Sequence, residues 1–261
     1  MKLPFVQIDA FADRPFSGNP AAVIPLEQWL PDETLQAIAE ENNLSETAFA
    51  VPTDGDADYD LRWFTPTTEV AMCGHATLAS GHHLIDGPEI RFRTRKAGVL
   101  IVRRDGEALS LDLPVTRVAP KPDAVLVEAL GVEGAEVFQS ISGAEATAII
   151  LLPDADVVRA CAPDMRRLRA IDLMAIVTAP GDGDHDVVSR VFVPAWGVDE
   201  DPVTGSAHAA LAPFWAERLG RDSFTALQAS KRGGRVECRI AGDRAILGGR
   251  CVTMIEGTYS L

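Results

Sequence analysis

The first strand signal is Val6-Gln7-Ile8-Asp9-Ala10-Phe11, where apolar and polar positions alternate with period two. The turn formers Pro15-Phe16-Ser17-Gly18-Asn19-Pro20 interrupt it. Over residues 31–43 the spacing becomes helical, with Leu35, Ile38 and Ala39 on one face, and the Asn42-Asn43 pair ends the run. Residues 47–51 and 59–64 return to strand patterns. Residues 74–85 are small and mostly apolar, which suits a helix enclosed by sheet. Residues 89–113 give three short strands, separated by Lys96-Ala97-Gly98 and by the hairpin turn former Asp105-Gly106.

Residues 114–122 hold Pro114, Pro120 and Pro122 and read as a linker, after which the pattern restarts. Strands are expected at 146–152, 175–178 and 187–193. A helix is expected at 206–219, with Ala207, Leu211, Phe214 and Leu219 among its apolar positions. Short strands then fill 223–258, with turns at Gly233-Gly234, Ala241-Gly242-Asp243 and Gly248-Gly249. The restart has the form of an internal duplication. Arg62-Trp63-Phe64-Thr65-Pro66 precedes Gly74-His75-Ala76, and Arg190-Val191-Phe192-Val193-Pro194 precedes Gly205-Ser206-Ala207-His208. The offset is 128 residues from 62 to 190 and 131 from 74 to 205. Two similar halves are expected, 1–116 and 117–261, with the last strand able to return to the first half.

Composition narrows the function classes. Of 261 residues, 47% are hydrophobic and 24% charged, the balance of a chain that buries a large core. A net charge of −14 disfavours a phosphate backbone or an acidic membrane surface as partner. It leaves room for a small anion, because a local field can oppose the global one. Cys73, Cys161, Cys238 and Cys251 are far apart and form no CxxC pair, so neither a disulfide framework nor a zinc pattern is expected. The first thirteen residues lack an apolar stretch behind a basic one, and no apolar run approaches the ~20 residues of a spanning helix. A cytoplasmic protein is expected.

The sequence contains no phosphate loop, dinucleotide fingerprint, HExxH pair, EF-hand loop or nucleophile elbow. The remaining chemistry lies beside two Gly-led helix starts. One is entered through Thr68-Glu69-Val70-Ala71-Met72-Cys73, the other through Asp199-Glu200-Asp201-Pro202-Val203-Thr204. Helix N-termini carry unpaired N–H groups and partial positive charge. Two of them facing one cleft would hold a carboxylate and stabilise a developing enolate. The plainer alternative is that Asp201 and Thr204 only cap a helix. Glu46, at the mouth of the apolar strand Thr47-Ala48-Phe49-Ala50, either acts as a general base tuned by burial or simply faces water.

Several words then occur in a fixed order: Asp9-Ala10-Phe11, Pro15-Phe16-Ser17-Gly18-Asn19-Pro20, Asn43-Leu44-Ser45-Glu46-Thr47-Ala48-Phe49, Arg62-Trp63-Phe64-Thr65-Pro66, Cys73-Gly74-His75-Ala76-Thr77 and Asp201-Pro202-Val203-Thr204-Gly205-Ser206. Together the chain resembles the phenazine-biosynthesis PhzF-like family across nearly its whole length. The resemblance implies an α+β fold like that of diaminopimelate epimerase, with two halves, each a curled, mostly antiparallel sheet around a central helix, and a site in the cleft between them. It implies a homodimer, no cofactor or metal, and acid/base isomerisation of a small carboxylated substrate. It implies catalytic roles for Glu46, Asp201 and His75, and substrate binding by Gly74, Gly205, Ser206 and Asn19. Cys73 stands where related epimerases and proline racemases carry a catalytic thiol. The second motif offers no matching cysteine, so Cys73 reads as a packing residue near the site. The competing readings are an amino-acid epimerase or racemase, and a non-catalytic binding protein on the same scaffold.

Overall fold

The computed structural model describes residues 1–143 and 145–261. The chain divides into two compact units, one of Met1–Asp112 with Gly248–Leu261, the other of Leu113–Leu247. The first opens with β1 (Lys2–Ala10), β2 (Asn19–Pro25), α1 (Asp32–Asn42), β3 (Glu46–Pro52), β4 (Tyr59–Phe64) and β5 (Glu69–Val70). It continues with α2 (Gly74–Leu84), β6 (Glu89–Thr94), β7 (Val99–Asp105) and β8 (Ala108–Pro114). The second holds β9 (Val118–Pro120), α3 (Ala124–Leu130), β10 (Glu136–Ser140), β11 (Thr147–Leu151), α4 (Ala155–Ala160), α5 (Met165–Leu168) and β12 (Met174–Pro180). Then come β13 (Val187–Val193), β14 (Val198–Asp201), α6 (Gly205–Leu219), β15 (Ser223–Gln228), β16 (Gly234–Ala241) and β17 (Arg244–Gly249), whose last two residues belong to the first unit. Strand β18 (Cys251–Ser260) pairs antiparallel along β1, which makes the C-terminal segment part of the first unit.

The pairings repeat. In the first unit β1 and β2 are antiparallel, β2 and β3 parallel, β3 and β4 antiparallel. Strand β4 then pairs antiparallel with β5 and parallel with β6, and β6 antiparallel with β7. In the second unit β10 to β16 pair in the same sequence of directions. The Gly-led helix falls between the fifth and sixth strand of each series.

Helix α2 packs against β1, β2, β3, β7 and β18, so the first unit's sheet curls around it. Its residues from Gly74 to Gly81 are all buried. Small side chains permit this, and a Cβ on Gly81 would lie 2.6 Å from a Val102 methyl on β7. The hydroxyls of Thr77 and Ser80 donate back to the Cys73 and Ala76 carbonyls, which removes the cost of burying them. Outside this sheet α1 buries Leu35, Ile38 and Ala39 against Phe49, Val51 and Phe64. In the second unit α3, α4 and α5 pack on the outer face through Leu126, Val158 and Leu168. Pro213 inside α6 has no N–H for the Ala209 carbonyl, and the Thr116 N–H takes that acceptor at 3.1 Å.

Two expectations change. The stretch expected as a linker contains β9, which pairs with β10 at Val118, Ala119 and Pro120. Proline is tolerated there because β9 is a short strand ending on it. Gly248 and Gly249 belong to β17, with the break falling at Arg250. A Cβ on Gly249 would meet the Phe11 ring at 2.4 Å, so close packing, not a turn, calls for glycine at that position. Among the described residues no helix is long and apolar enough to cross a membrane.

Candidate functional site

Three chain segments meet in the first unit. Helix α1 ends at Asn42 and is capped by Asn43, whose left-handed backbone (φ 48°) turns the chain toward β3, and Glu46 opens that strand. The loop after β1 passes through Phe11 and Phe16, both at positive φ, before Asn19 opens β2. For bulky residues this backbone costs about 1–2 kcal/mol each. It is held in part by the buried Asp9, whose carboxylate accepts the Phe16 N–H. Gly18 (φ 67°) is required as well, since a Cβ there would strike the Ala10 carbonyl oxygen. The third segment is Cys73-Gly74-His75 at the start of α2.

His75 is buried and lies between these groups. Its Nε2 is 3.0 Å from Glu46 Oε2. Its Nδ1 is met by the Asn19 side-chain amide at 3.2 Å and by Cys73 Sγ at 3.5 Å. The contact between Glu46 and His75 is off the axis of a hydrogen bond, so it is an ion pair whose two buried atoms keep hydrogen-bonding capacity. Burial alone would lower the His75 pKa. The Cys73 and Glu46 side chains, on either side of the ring, oppose burial and raise it well above the ordinary value. Burial pushes the Cys73 thiol up to about 11, with the Glu46 charge adding to the effect. At neutral pH Cys73 is therefore a thiol. The ligating atoms of Glu46, Cys73 and His75 lie within 4.8 Å of one another.

The second unit brings Asp201, Gly205 and Ser206 to the start of α6. Asp201 accepts a short hydrogen bond from the Thr204 hydroxyl. That hydroxyl does not cap α6, and Cys73 does not cap α2, so both helices begin without a side-chain cap. The capping alternative thus fails for Thr204. Ser206 Oγ lies 4.0 Å from Met174 Sδ. Sequence reading missed Gln228, fully buried at the end of β15. Its Nε2 donates to the Asp201 carbonyl at 2.7 Å, and its Oε1 accepts the Thr204 N–H at 2.9 Å. One amide thus ties both ends of the Asp201-to-Thr204 turn. No local pattern announces it, since its partners lie 24 and 27 residues away. His208, one turn into α6, is buried and neutral. Its Nδ1 donates to the Thr204 carbonyl at 2.8 Å, and burial lowers its pKa to about 4.

Fold and site together define an epimerase-like α+β protein with a carboxylate–imidazole pair at a helix start. The chain belongs to the phenazine biosynthesis-like (PhzC/PhzF) family, whose model matches residues 8–257. It is 49% identical to an uncharacterized isomerase of Pseudomonas aeruginosa and 40% identical to one of Halalkalibacterium halodurans, with both chains covered in full in each case. A phenazine biosynthesis-like domain-containing protein of Homo sapiens is 36% identical, again over both full lengths. Among solved structures, a PhzF-family phenazine biosynthesis protein from Enterococcus faecalis superposes with a TM-score of 0.91 at 40% identity, covering 100% of each chain. A predicted epimerase from Pseudomonas aeruginosa gives 0.76 at 25% identity, covering 98% of each. The relatives named as isomerases support the same enzyme class for this chain.

Proposed function

We propose that this protein is a cofactor-independent acid/base isomerase acting on a small carboxylated substrate. The observation that carries the reading is the buried pair of Glu46 and His75, 3.0 Å apart. In this mechanism the Glu46 carboxylate removes a proton from a carbon next to an electron-withdrawing group. The electron pair left behind delocalises as an enolate, and returning the proton at another carbon shifts the double bond. The His75 imidazolium orients Glu46 and balances its charge. The uncapped N–H groups at Gly74 steady the developing negative charge, which is where preorganised donors act most strongly. Asn19 holds the imidazole from its other nitrogen. Asp201, Gly205 and Ser206 keep the roles the resemblance implies, Asp201 a catalytic one and the other two substrate binding. A two-thiol racemase finds no support in Cys73, whose thiol stays protonated to about pH 11.

The test is Glu46→Gln, assayed by deuterium uptake from heavy water into a panel of small cyclic and amino-acid carboxylates. A general base contributes roughly 10²–10⁴-fold. The variant should lose exchange by that factor while still binding the substrate that wild type labels. Exchange at the wild-type rate would place the base elsewhere.

A further inference from the structure

Arg62 and Arg190 occupy equivalent places in their units. Arg62 donates from Nε and Nη2 to the two oxygens of Glu69, both at 2.8 Å, and its guanidinium lies 5.0 Å from the Phe64 ring. Arg190 donates from Nε and Nη2 to the two oxygens of Glu200, at 2.7 and 3.0 Å, and lies 5.0 Å from the Phe192 ring. The remaining nitrogen, Nη1, reaches a helix in each case. In the first unit it donates to Asp32 Oδ1 at the start of α1, at 2.9 Å. In the second it donates to the Cys161 carbonyl just past α4, at 2.6 Å. The strand register is also the same, with Phe64 opposite Glu69 and Phe192 opposite Glu200.

The turns between these residues differ. Glu69 follows Phe64 by 5 positions, whereas Glu200 follows Phe192 by 8, the longer turn holding the 3-10 segment Pro194–Trp196. On the other side of each glutamate nothing changes: Gly74 follows Glu69, and Gly205 follows Glu200, by 5 positions. Length varies before the clamped glutamate and is kept between it and the helix start. That kept segment carries Cys73 in one unit and Asp201 in the other. A cavity of about 160 Å³, lined by Arg62, Trp63, Glu69, Val70 and Ala71 among others, adjoins the first clamp. It gives the loop space to shift once the pair is broken.

We propose that Arg62 with Glu69, and Arg190 with Glu200, are positioning pairs, each fixing the loop that sets its unit's chemistry at the helix start. A planar guanidinium suits the task, because its fork fixes both oxygens of a carboxylate at once. The functional meaning rests on Glu46 and His75 as the proton-transfer pair, but the test needs no turnover and can fail independently of that reading. The chain has 5 histidines, few enough for each ring to be followed by nitrogen-15 NMR across a pH series. Loosening the first clamp by Glu69→Gln or Arg62→Lys should move the His75 titration toward its ordinary value by about half a pH unit or more, as its distance to Glu46 grows. The His208 signals should stay put. Glu200→Gln or Arg190→Lys should disturb the His208 ring and leave His75 unchanged. Arg62→Lys keeps the charge without the fork, so it separates geometry from simple charge loss. Variants that melt earlier but keep the wild-type His75 titration would overturn the proposal, as would failure of both first-clamp variants to fold, which would make the pair a folding element only.

Discussion

His208 gives a pH dependence whose size follows from its burial. In the folded protein its pKa lies at about 4, because a charged imidazole cannot be hydrated inside the second unit. In the unfolded chain it returns to about 6.5. Between those values the unfolded state binds the extra proton, so stability falls as pH falls. The contribution is complete above pH 6.5 and is lost as pH drops through the folded pKa. Linkage puts the loss at about 2 kcal/mol by pH 5 and about 3 kcal/mol by pH 4. The perturbation is His208→Asn, whose side-chain amide can still donate to the Thr204 carbonyl but does not titrate. Urea unfolding of both proteins from pH 8 to pH 4 isolates the term as the change in their stability difference. A difference that stays flat across this range would show that His208 is protonated as easily in the fold as outside it, and the argument from burial would be wrong. His75 acts with the opposite sign. Its raised pKa contributes stability that is complete below about pH 6.5 and is lost as pH rises through the folded value. Each histidine therefore favours the fold on its own side of pH 6.5.

Two further outcomes are expected. Cys73, a thiol up to about pH 11, should resist iodoacetamide at pH 7.5 in the native protein, and Cys73→Ser should retain exchange of the substrate found for wild type; rapid native labelling, or loss of exchange as deep as that of Glu46→Gln, would return the thiol to the chemistry. Gly81→Ala should destabilise by about 1–3 kcal/mol in urea unfolding, because its Cβ would lie 2.6 to 3.0 Å from the side-chain carbons of Val102; a neutral change would mean that β7 yields easily to α2.

Much of this arrangement is legible in the sequence where period and length are strong. The alternation of β1, the three-strand meander and the small-residue composition of α2 are local patterns, and local patterns survive without tertiary help. The helices α3, α4 and α5 were missed because 4 to 7 residues cannot display a helical period. Their caps were nonetheless written in the chain, since Asp123, Asp154 and Asp164 each accept a backbone N–H at the helix start. Strand β9 was hidden by Pro120 within it and by Pro114 and Pro122 around it. For the site, ordered words singled out Asn19, Glu46, Cys73 and His75. What they could not supply is that His75 turns one nitrogen to Glu46 and the other to Asn19 and Cys73, because that depends on how the sheet curls around α2.

The repeated frame also explains why reading one half as a copy of the other goes only part of the way. Strand directions, the guanidinium clamp and the uncapped Gly-led helix recur in both units, and these are matters of backbone and register. The side chains set on that frame diverge. At the start of α2 an imidazole meets a carboxylate and is held charged, whereas one turn into α6 an imidazole meets only a backbone carbonyl and is held neutral. Cys73 and Glu46 make the difference in the first unit, since burial pushes both rings the same way and only His75 has such side chains to oppose it. Among the described residues, no carboxylate opposes burial at His208, whose ring bonds the Thr204 carbonyl. In the second unit the acidic group near the helix start is Asp201, bonded to Thr204 and tied through its backbone to Gln228. The repeated frame thus accounts for where the groups sit, and the identity of the one or two neighbours around each imidazole decides its charge.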